Sequence, residues 1–140
     1  MRGYIFVLII ASLFIPSIAR AAGTSKVCVR DCCIQAQIAF SSEERAAGLM
    51  SRERLGLEEG MLFIFDRPLR YSFWMKNMKF PLDLIWISRD KTVVDITRSA
   101  QPCVDSCESL YPAEPAKYVL EVNAGFAAAH NIQIGDRMDF

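Results

Sequence analysis

The sequence predicts an α+β fold, built mainly on an antiparallel β-sheet or a partly open barrel, with two short helices. Short apolar runs of strand length recur along the chain, several of them alternating with polar residues. Such runs are typical of β-strands with one or both faces buried. Helical periodicity is confined to two short stretches, and they do not alternate with the strands as they would in a parallel βαβ fold.

Residues 1–21 have the features of a cleavable export signal. Arg2 supplies a positive start, and residues 5–15 form an apolar stretch of 11 residues, shorter than the roughly 20 needed to cross a bilayer. Ala19 and Ala21 place small residues at positions −3 and −1 of a peptidase site. We therefore expect cleavage after Ala21 and a periplasmic or secreted protein with no membrane attachment. The alternative is an uncleaved membrane anchor.

The remaining chain divides into a cysteine-containing extension, residues 22–33, and a single globular domain, residues 34–140. The full chain has 16 basic and 16 acidic residues, and loss of Arg2 and Arg20 with the leader leaves 14 against 16, a net charge of −2. Nucleic-acid binding normally needs a basic excess, so we expect no nucleic-acid partner. A single His and the absence of P-loop, GxGxxG and GxSxG motifs predict no cofactor.

The first predicted elements of the domain are a strand and a helix. Residues 34–40 alternate between apolar and polar side chains, which indicates a half-buried strand. Ser41 and Glu44 have the spacing of a capping box at the start of a helix over residues 42–50. Residues 51–60 are charged and contain two Gly, so they predict a surface loop.

Apolar runs predict four strands in the middle of the chain. They lie at residues 61–65, 71–76, 82–87 and 92–97. A charged turn separates the last two, which therefore predict a hairpin. Residues 99–116 contain three Pro and two Cys and predict a long loop.

The C-terminal part predicts a strand, a helix and a short final strand. Residues 117–122 are the strand, and Asn123 is a candidate N-cap for a helix over residues 124–130. Asn131 suits the left-handed residue that ends such a helix. Residues 132–140 contain a Gly-Asp turn before the final strand.

The five cysteines predict disulfides, because an oxidising compartment favours them. A local bridge between Cys103 and Cys107 is the simplest pairing. A second bridge would then join Cys28 to Cys32 or Cys33 and leave one free thiol. The alternative arrangement links the N-terminal cluster to the later loop, and spacing alone does not choose between them.

Several ordered sequence blocks resemble one family. They are residues 42–50, 59–63, 72–77, 81–84, 118–126 and 134–136. Together they resemble the bacterial and archaeal domain-of-unknown-function family 192, and the resemblance covers about residues 34–138. It implies a compact single-domain fold that is often exported, and it implies no established activity.

Polar residues within apolar strands are the first candidates for a site. They are Lys76, Asn77, Asp83, Glu121 and Asn123. Asp83 would lie on an apolar strand face, so we expect it to need a partner such as Lys76 or Asn77. A structural hydrogen-bond network is the first interpretation. A ligand site built from the same residues is the second, and catalysis by Asp83 or Glu121 as a general base is the third.

Trp74 is a further candidate for ligand binding. Because it follows Phe73 on a predicted strand, one of the two rings should face away from the core. An outward ring could line a groove for a ligand. The alternative is that the loop over residues 99–116 covers it.

Sulfur ligands raise a copper hypothesis, because cysteine and methionine select copper(I). Cys28, Cys32 and Cys33 have C-x3-C-C spacing rather than CxxC, and His130 alone could add nitrogen. We therefore expect disulfides and no metal site.

Three functional hypotheses follow. The first is an exported, non-catalytic domain that binds a small ligand or a protein partner. The second is a hydrolase or transferase with Asp83, Glu121 and Lys76 in one cleft. Copper(I) handling is the third.

Overall fold

The protein is described here by a computed structural model, which covers residues 23–140 and folds around one seven-stranded mixed sheet. The strands are β1 (Thr24–Val29), β2 (Cys32–Ala39), β3 (Glu59–Leu69), β4 (Leu82–Ile87), β5 (Val93–Ala100), β6 (Ala116–Asn123) and β7 (Met138–Asp139). Their order in the sheet is β5-β4-β6-β3-β2-β1-β7. Only β2 and β3 pair in parallel; the other neighbours are antiparallel, as predicted. The two helices are α1 (Ser42–Ala47) and α2 (Phe126–Ala129).

The two ends of the sheet meet, which gives it the form of a half-barrel. The Val93 amide donates to the Asp136 carbonyl at 2.8 Å, and the Met138 amide donates to the Lys91 carbonyl at 2.8 Å. These bonds connect the start of β5 to the chain around β7. The predicted partly open barrel is therefore confirmed.

An apolar cluster lies on each face of the sheet, and β4 contributes to both. Ile85 and Ile87 belong to the first cluster, which α2 and the C-terminal segment cover. Leu84 and Trp86 belong to the second, which contacts the residues after α1 and the aromatic segment 71–80. Because both faces are covered, all six residues of β4 are buried.

The prediction of a strand over residues 71–76 is wrong. This segment forms only two isolated bridges, one between Phe73 and Leu110 and one between Lys76 and Cys103. Its backbone thus pairs with the long loop rather than with a strand of the sheet, which apolar alternation alone could not indicate. The preceding strand, β3, is correspondingly longer than predicted and extends to Leu69.

The helix starts are partly as predicted. The capping box is confirmed: Glu44 N–H donates to the Ser41 hydroxyl at 3.1 Å, and Ser41 N–H donates to the Glu44 carboxylate at 2.9 Å. Helix α1 is shorter than expected, because Gly48 at φ 47° ends it. Phe40, expected on the buried face of the strand, lies beyond β2 and is exposed.

The second helix begins later than predicted. Its N-cap is Gly125 at φ 87°, and Asn123 is instead the last residue of β6. Asn131 has the expected positive φ, 49°.

Two disulfides are present among the described residues. Cys28 bonds Cys33 across the β1–β2 hairpin, Cys103 bonds Cys107 within the long loop, and Cys32 is the free thiol. The local pairing is confirmed. The predicted leader lies outside the described residues. Within residues 23–140, no helix has the length and apolar character needed to cross a membrane.

Candidate functional site

A cavity of about 300 Å³ opens between the α1 region and the aromatic segment 72–78, with β3 and β6 beneath it. Its lining is mostly apolar. The side chains that form it include Leu49, Met50, Phe63, Phe65, Phe73, Trp74 and Met78. The volume falls at the lower end of the roughly 300–1,000 Å³ of small-molecule sites. The cavity therefore suits a small ligand with a substantial apolar part.

Glu121 lies at this cavity because of its register on β6. It stands between Met61 of β3 and Leu84 of β4 in the sheet. Its neighbours Leu120 and Val122 face the first apolar cluster. Because side chains alternate along a strand, Glu121 faces the second cluster, where the cavity is.

Within residues 23–140, the Glu121 carboxyl group has no partner. The residue is only 6% exposed, and no hydrogen bond or ion pair within residues 23–140 involves its side chain. Every fully buried side-chain nitrogen or oxygen in the same part of the chain does have a hydrogen-bond partner. The Glu121 oxygens are therefore not sealed off but retain contact with the cavity.

Burial controls the protonation of this group. Desolvation raises the pKa of Glu121 from 4.5 to about 8, because the charged form loses its hydration. In these apolar surroundings the carboxyl group is thus mainly protonated at neutral pH. It can donate a hydrogen bond in that form, or accept one after losing its proton.

Arg45 is the other charged residue in the described lining of the cavity. Its guanidinium donates to the backbone carbonyls of Phe40 and Ile64, the latter at 3.2 Å. The guanidinium carbon also lies 5.0 Å from the centre of the Phe65 ring. These contacts hold Arg45 beside β3 and the end of β2. No ion pair joins it to Glu121 within residues 23–140.

The aromatic side chains form one packed wall. Phe73 makes edge-to-face contacts with Phe63 and Trp86, at centroid distances of 5.0 and 5.2 Å. Trp74 is 56% exposed, and the Lys76 ammonium lies 5.6 Å from its ring centre. The structure thus places Trp74 at the rim of the cavity rather than beneath the long loop.

Asp83 lies on the opposite face of the sheet from Glu121. It is fully buried, and its two oxygens accept from the Ser99 and Ala127 amides at 2.8 and 2.9 Å. Its partners are therefore backbone amides, not Lys76 or Asn77 as expected. Both of those residues are exposed.

Asn123 also bonds to backbone groups. Its side-chain amide donates to the carbonyls of Leu55 and Gly56 at 3.3 and 2.9 Å, which ties the loop after α1 to the end of β6. Among the predicted candidates, the cavity brings together Glu121 and Trp74 alone. Asp83, Glu121 and Lys76 do not converge.

Sequence comparison identifies the family. The profile of DUF192, described as an uncharacterized ACR, matches residues 25–140. The chain belongs to the DUF192 family. The resemblance found in the sequence blocks is therefore confirmed, and the match includes β1, which precedes the predicted start of the globular domain.

This DUF192 chain is similar to several proteins without an established function. It is 26% identical over 109 residues to UPF0127 protein PF1050 of Pyrococcus furiosus, covering 76% of this chain and 87% of that protein. A crystal structure of a protein of unknown function from Novosphingobium aromaticivorans is 36% identical, with a TM-score of 0.76 and coverage of 84% and 85%. A Sinorhizobium meliloti structure, described as a candidate transcription regulator, is 31% identical, with a TM-score of 0.72 and coverage of 81% and 89%.

The candidate site residues identified from the sequence did not include Arg45, Met50 or Ser72, which all line the cavity. Arg45 and Met50 belong to the predicted helix over residues 42–50, and Ser72 lies in the segment predicted as a strand over residues 71–76, where Lys76 was the polar residue singled out. Met78 also lines the cavity.

A second, more polar cavity of about 510 Å³ lies at the β1–β2 hairpin. Cys32, Leu57 and His130 are among its lining residues. Burial raises the pKa of the Cys32 thiol, and Glu58 adds to the effect, so the thiol is less reactive at neutral pH. No three His, Cys, Asp or Glu side chains group as metal ligands anywhere in residues 23–140.

Proposed function

We propose that the protein is an exported, non-catalytic binding domain that takes a small, largely apolar ligand into the cavity beside α1. One observation carries this proposal: the buried Glu121 carboxyl faces an apolar cavity and has no partner in the described part of the chain. An unpaired polar group in such surroundings is costly, by about 1–3 kcal/mol in protein mutational data. A ligand that satisfies the carboxyl group recovers that free energy.

The positions of the other candidates support binding rather than hydrolysis. A hydrolase or transferase site would need a second acid–base group or a nucleophile within reach of Glu121. Asp83 is committed to two backbone amides on the other face of the sheet, and Lys76 lies over Trp74. Neither residue therefore forms an acid–base pair with Glu121, which supports a role of Glu121 in ligand recognition.

Export is supported by the leader pattern in residues 1–21 and by the two disulfides, which persist in oxidising compartments. The net charge of −2 after leader removal does not favour a nucleic-acid partner. In this respect the proposal differs from the description given to the Sinorhizobium meliloti structure.

The test is binding of a neutral fluorescent probe, N-phenyl-1-naphthylamine, whose emission rises in apolar sites. Ala47 lies in α1 at the cavity, so Ala47→Trp should fill the opening and abolish binding. The matched control is Ala128→Trp, an exposed position on α2 outside this cavity. Equal probe binding by the wild type and both variants would contradict the proposed site.

A further inference from the structure

The chemical groups at the cavity narrow the class of ligand, if the proposed binding function holds. The buried end presents one carboxyl group, and the walls present aromatic and aliphatic carbon. A ligand must therefore place a single polar group at Glu121 and apolar surface elsewhere. The remaining question is the charge of that polar group.

The geometry points to an organic cation: we propose that the cavity binds an aryl- or alkylamine whose ammonium group pairs with the Glu121 carboxylate. Three features support a cationic ligand. No hydrogen-bond donor from residues 23–140 reaches Glu121, so its oxygens are available to an ammonium group. The adjacent wall consists of aromatic rings, whose faces attract cations.

The third feature is the position of Arg45, the charged group that α1 contributes to the lining. Its guanidinium is held by the Phe40 and Ile64 carbonyls and lies over the Phe65 ring. It does not neutralise Glu121. From β3, β4 and the aromatic segment, the described lining of this cavity includes no charged side chain. Lys76 lies over the Trp74 ring at the rim.

Binding of an ammonium group must be coupled to release of a proton. Burial by itself favours the neutral carboxylic acid, and an adjacent cation favours the carboxylate. The Glu121 carboxyl proton therefore leaves to buffer when the ammonium ion binds. Because burial raises the pKa of Glu121 to about 8, close to one proton should be released per ligand at pH 7.

The test uses three probes of similar size: 2-phenylethylamine, 2-phenylethanol and 3-phenylpropionate. Isothermal titration of the wild type in two buffers of different ionisation enthalpy gives both affinity and proton release. We expect amine affinity to rise by close to tenfold per unit between about pH 6 and pH 7.5 and to level off above pH 8. The amine itself stays charged over this range, since alkyl amines have a pKa near 10.

Glu121→Gln is the matched variant, since it preserves shape and removes the charge. It should bind the alcohol as the wild type does, lose the preference for the amine and release no proton. If Glu121→Gln fails to fold, the pH dependence of amine affinity in the wild type still supports or overturns the proposal.

The failures of the two proposals are distinguishable. If 2-phenylethanol binds as tightly as the amine at pH 8, the cavity is a binding site but the cationic ligand is wrong. Tighter binding of 3-phenylpropionate would assign the site to Arg45 and an anion, which also overturns the inference. If none of the three probes binds, both the amine ligand and the small-ligand cavity are wrong.

Discussion

Glu121 carries a carboxyl group that would be charged at neutral pH in the unfolded chain, where its pKa is near 4.5. The β6 register places it among apolar side chains, and desolvation then raises the pKa to about 8. The folded protein therefore binds a proton that the unfolded chain releases across this interval. A single residue thus links protonation to stability as well as to the proposed ligand.

The linkage between protonation of Glu121 and folding predicts how the free energy of unfolding depends on pH. Between about pH 5 and pH 8 the native state holds more protons at Glu121 than the unfolded state, so the free energy of unfolding falls by up to ~1.4 kcal/mol per pH unit. The stabilisation that comes from protonated Glu121 is fully present below pH 4.5 and is lost as pH rises towards 8. Urea denaturation at several pH values measures it, and Glu121→Gln should remove this part of the dependence.

The control for this measurement is Glu108→Gln, because Glu108 is an exposed acid in the long loop. It should leave the pH dependence of the wild type unchanged. If Glu121→Gln and the wild type have parallel stability profiles between about pH 5 and pH 8, the carboxyl group is not desolvated as described.

At the scale of elements, Asp83 connects three parts of the fold. It lies on β4, and its oxygens accept from Ser99 near the end of β5 and from Ala127 in α2. Ser99 lies where the β4–β5 pairing is irregular, between the Leu84–Thr97 and Leu82–Ala100 pairs, and has a positive φ of 49°. Its amide finds its acceptor in the Asp83 side chain. The carboxylate thereby fixes α2 against the sheet.

We predict that Asp83→Asn destabilises the fold by roughly 1–3 kcal/mol, because an amide side chain retains one acceptor and leaves one buried N–H unsatisfied. Chemical denaturation measures this loss. Asp66→Asn is the control, since Asp66 is exposed on β3 and should change stability little. Folded Asp83→Asn should bind ligand in the Glu121 cavity as the wild type does. A loss of ligand affinity at full stability would assign Asp83 to the site instead.

Helix α1 shows a different balance between local and tertiary effects. Its start depends on the capping box of Ser41 and Glu44, which is a local motif and was predictable from four residues. Its end depends on Gly48, whose positive φ stops the helix before the apolar residues that were expected to continue it. Leu49 then packs into the core instead of extending a helical face.

At the scale of the whole molecule, the two disulfides and the leader proposed for residues 1–21 predict one defined covalent state. Expressed with its leader in a bacterium grown with copper, the exported chain should start at Ala22. It should lack the four hydrogens lost on forming the Cys28–Cys33 and Cys103–Cys107 bonds. Native mass spectrometry measures this directly. After unfolding, one thiol, at Cys32, should react with a thiol reagent.

The matched variant is Cys32→Ser, which should keep both disulfides and lose the thiol reaction. A mass that includes a metal ion, with the cysteines reduced, would instead favour the copper hypothesis. A chain that retains residues 1–21 would contradict cleavage of the leader.

The sequence by itself determined the strand-rich fold class, the capping box and the β4–β5 hairpin. These features depend on residues close together in the chain, whose patterns follow from backbone geometry. It also singled out Glu121 and Asp83 as polar residues in apolar strands. In sequence the two are equivalent, because both interrupt a hydrophobic run.

Only the tertiary structure decided their different environments. The register of the sheet makes Asp83 face two backbone amides and Glu121 face a cavity. Packing then brings Arg45 and the aromatic segment, from distant parts of the chain, to the same cavity. Strand alternation assigns a face but not what covers that face. Whether a buried carboxyl group is satisfied depends on the elements packed over it, and that packing brings together residues with no local relation in the sequence.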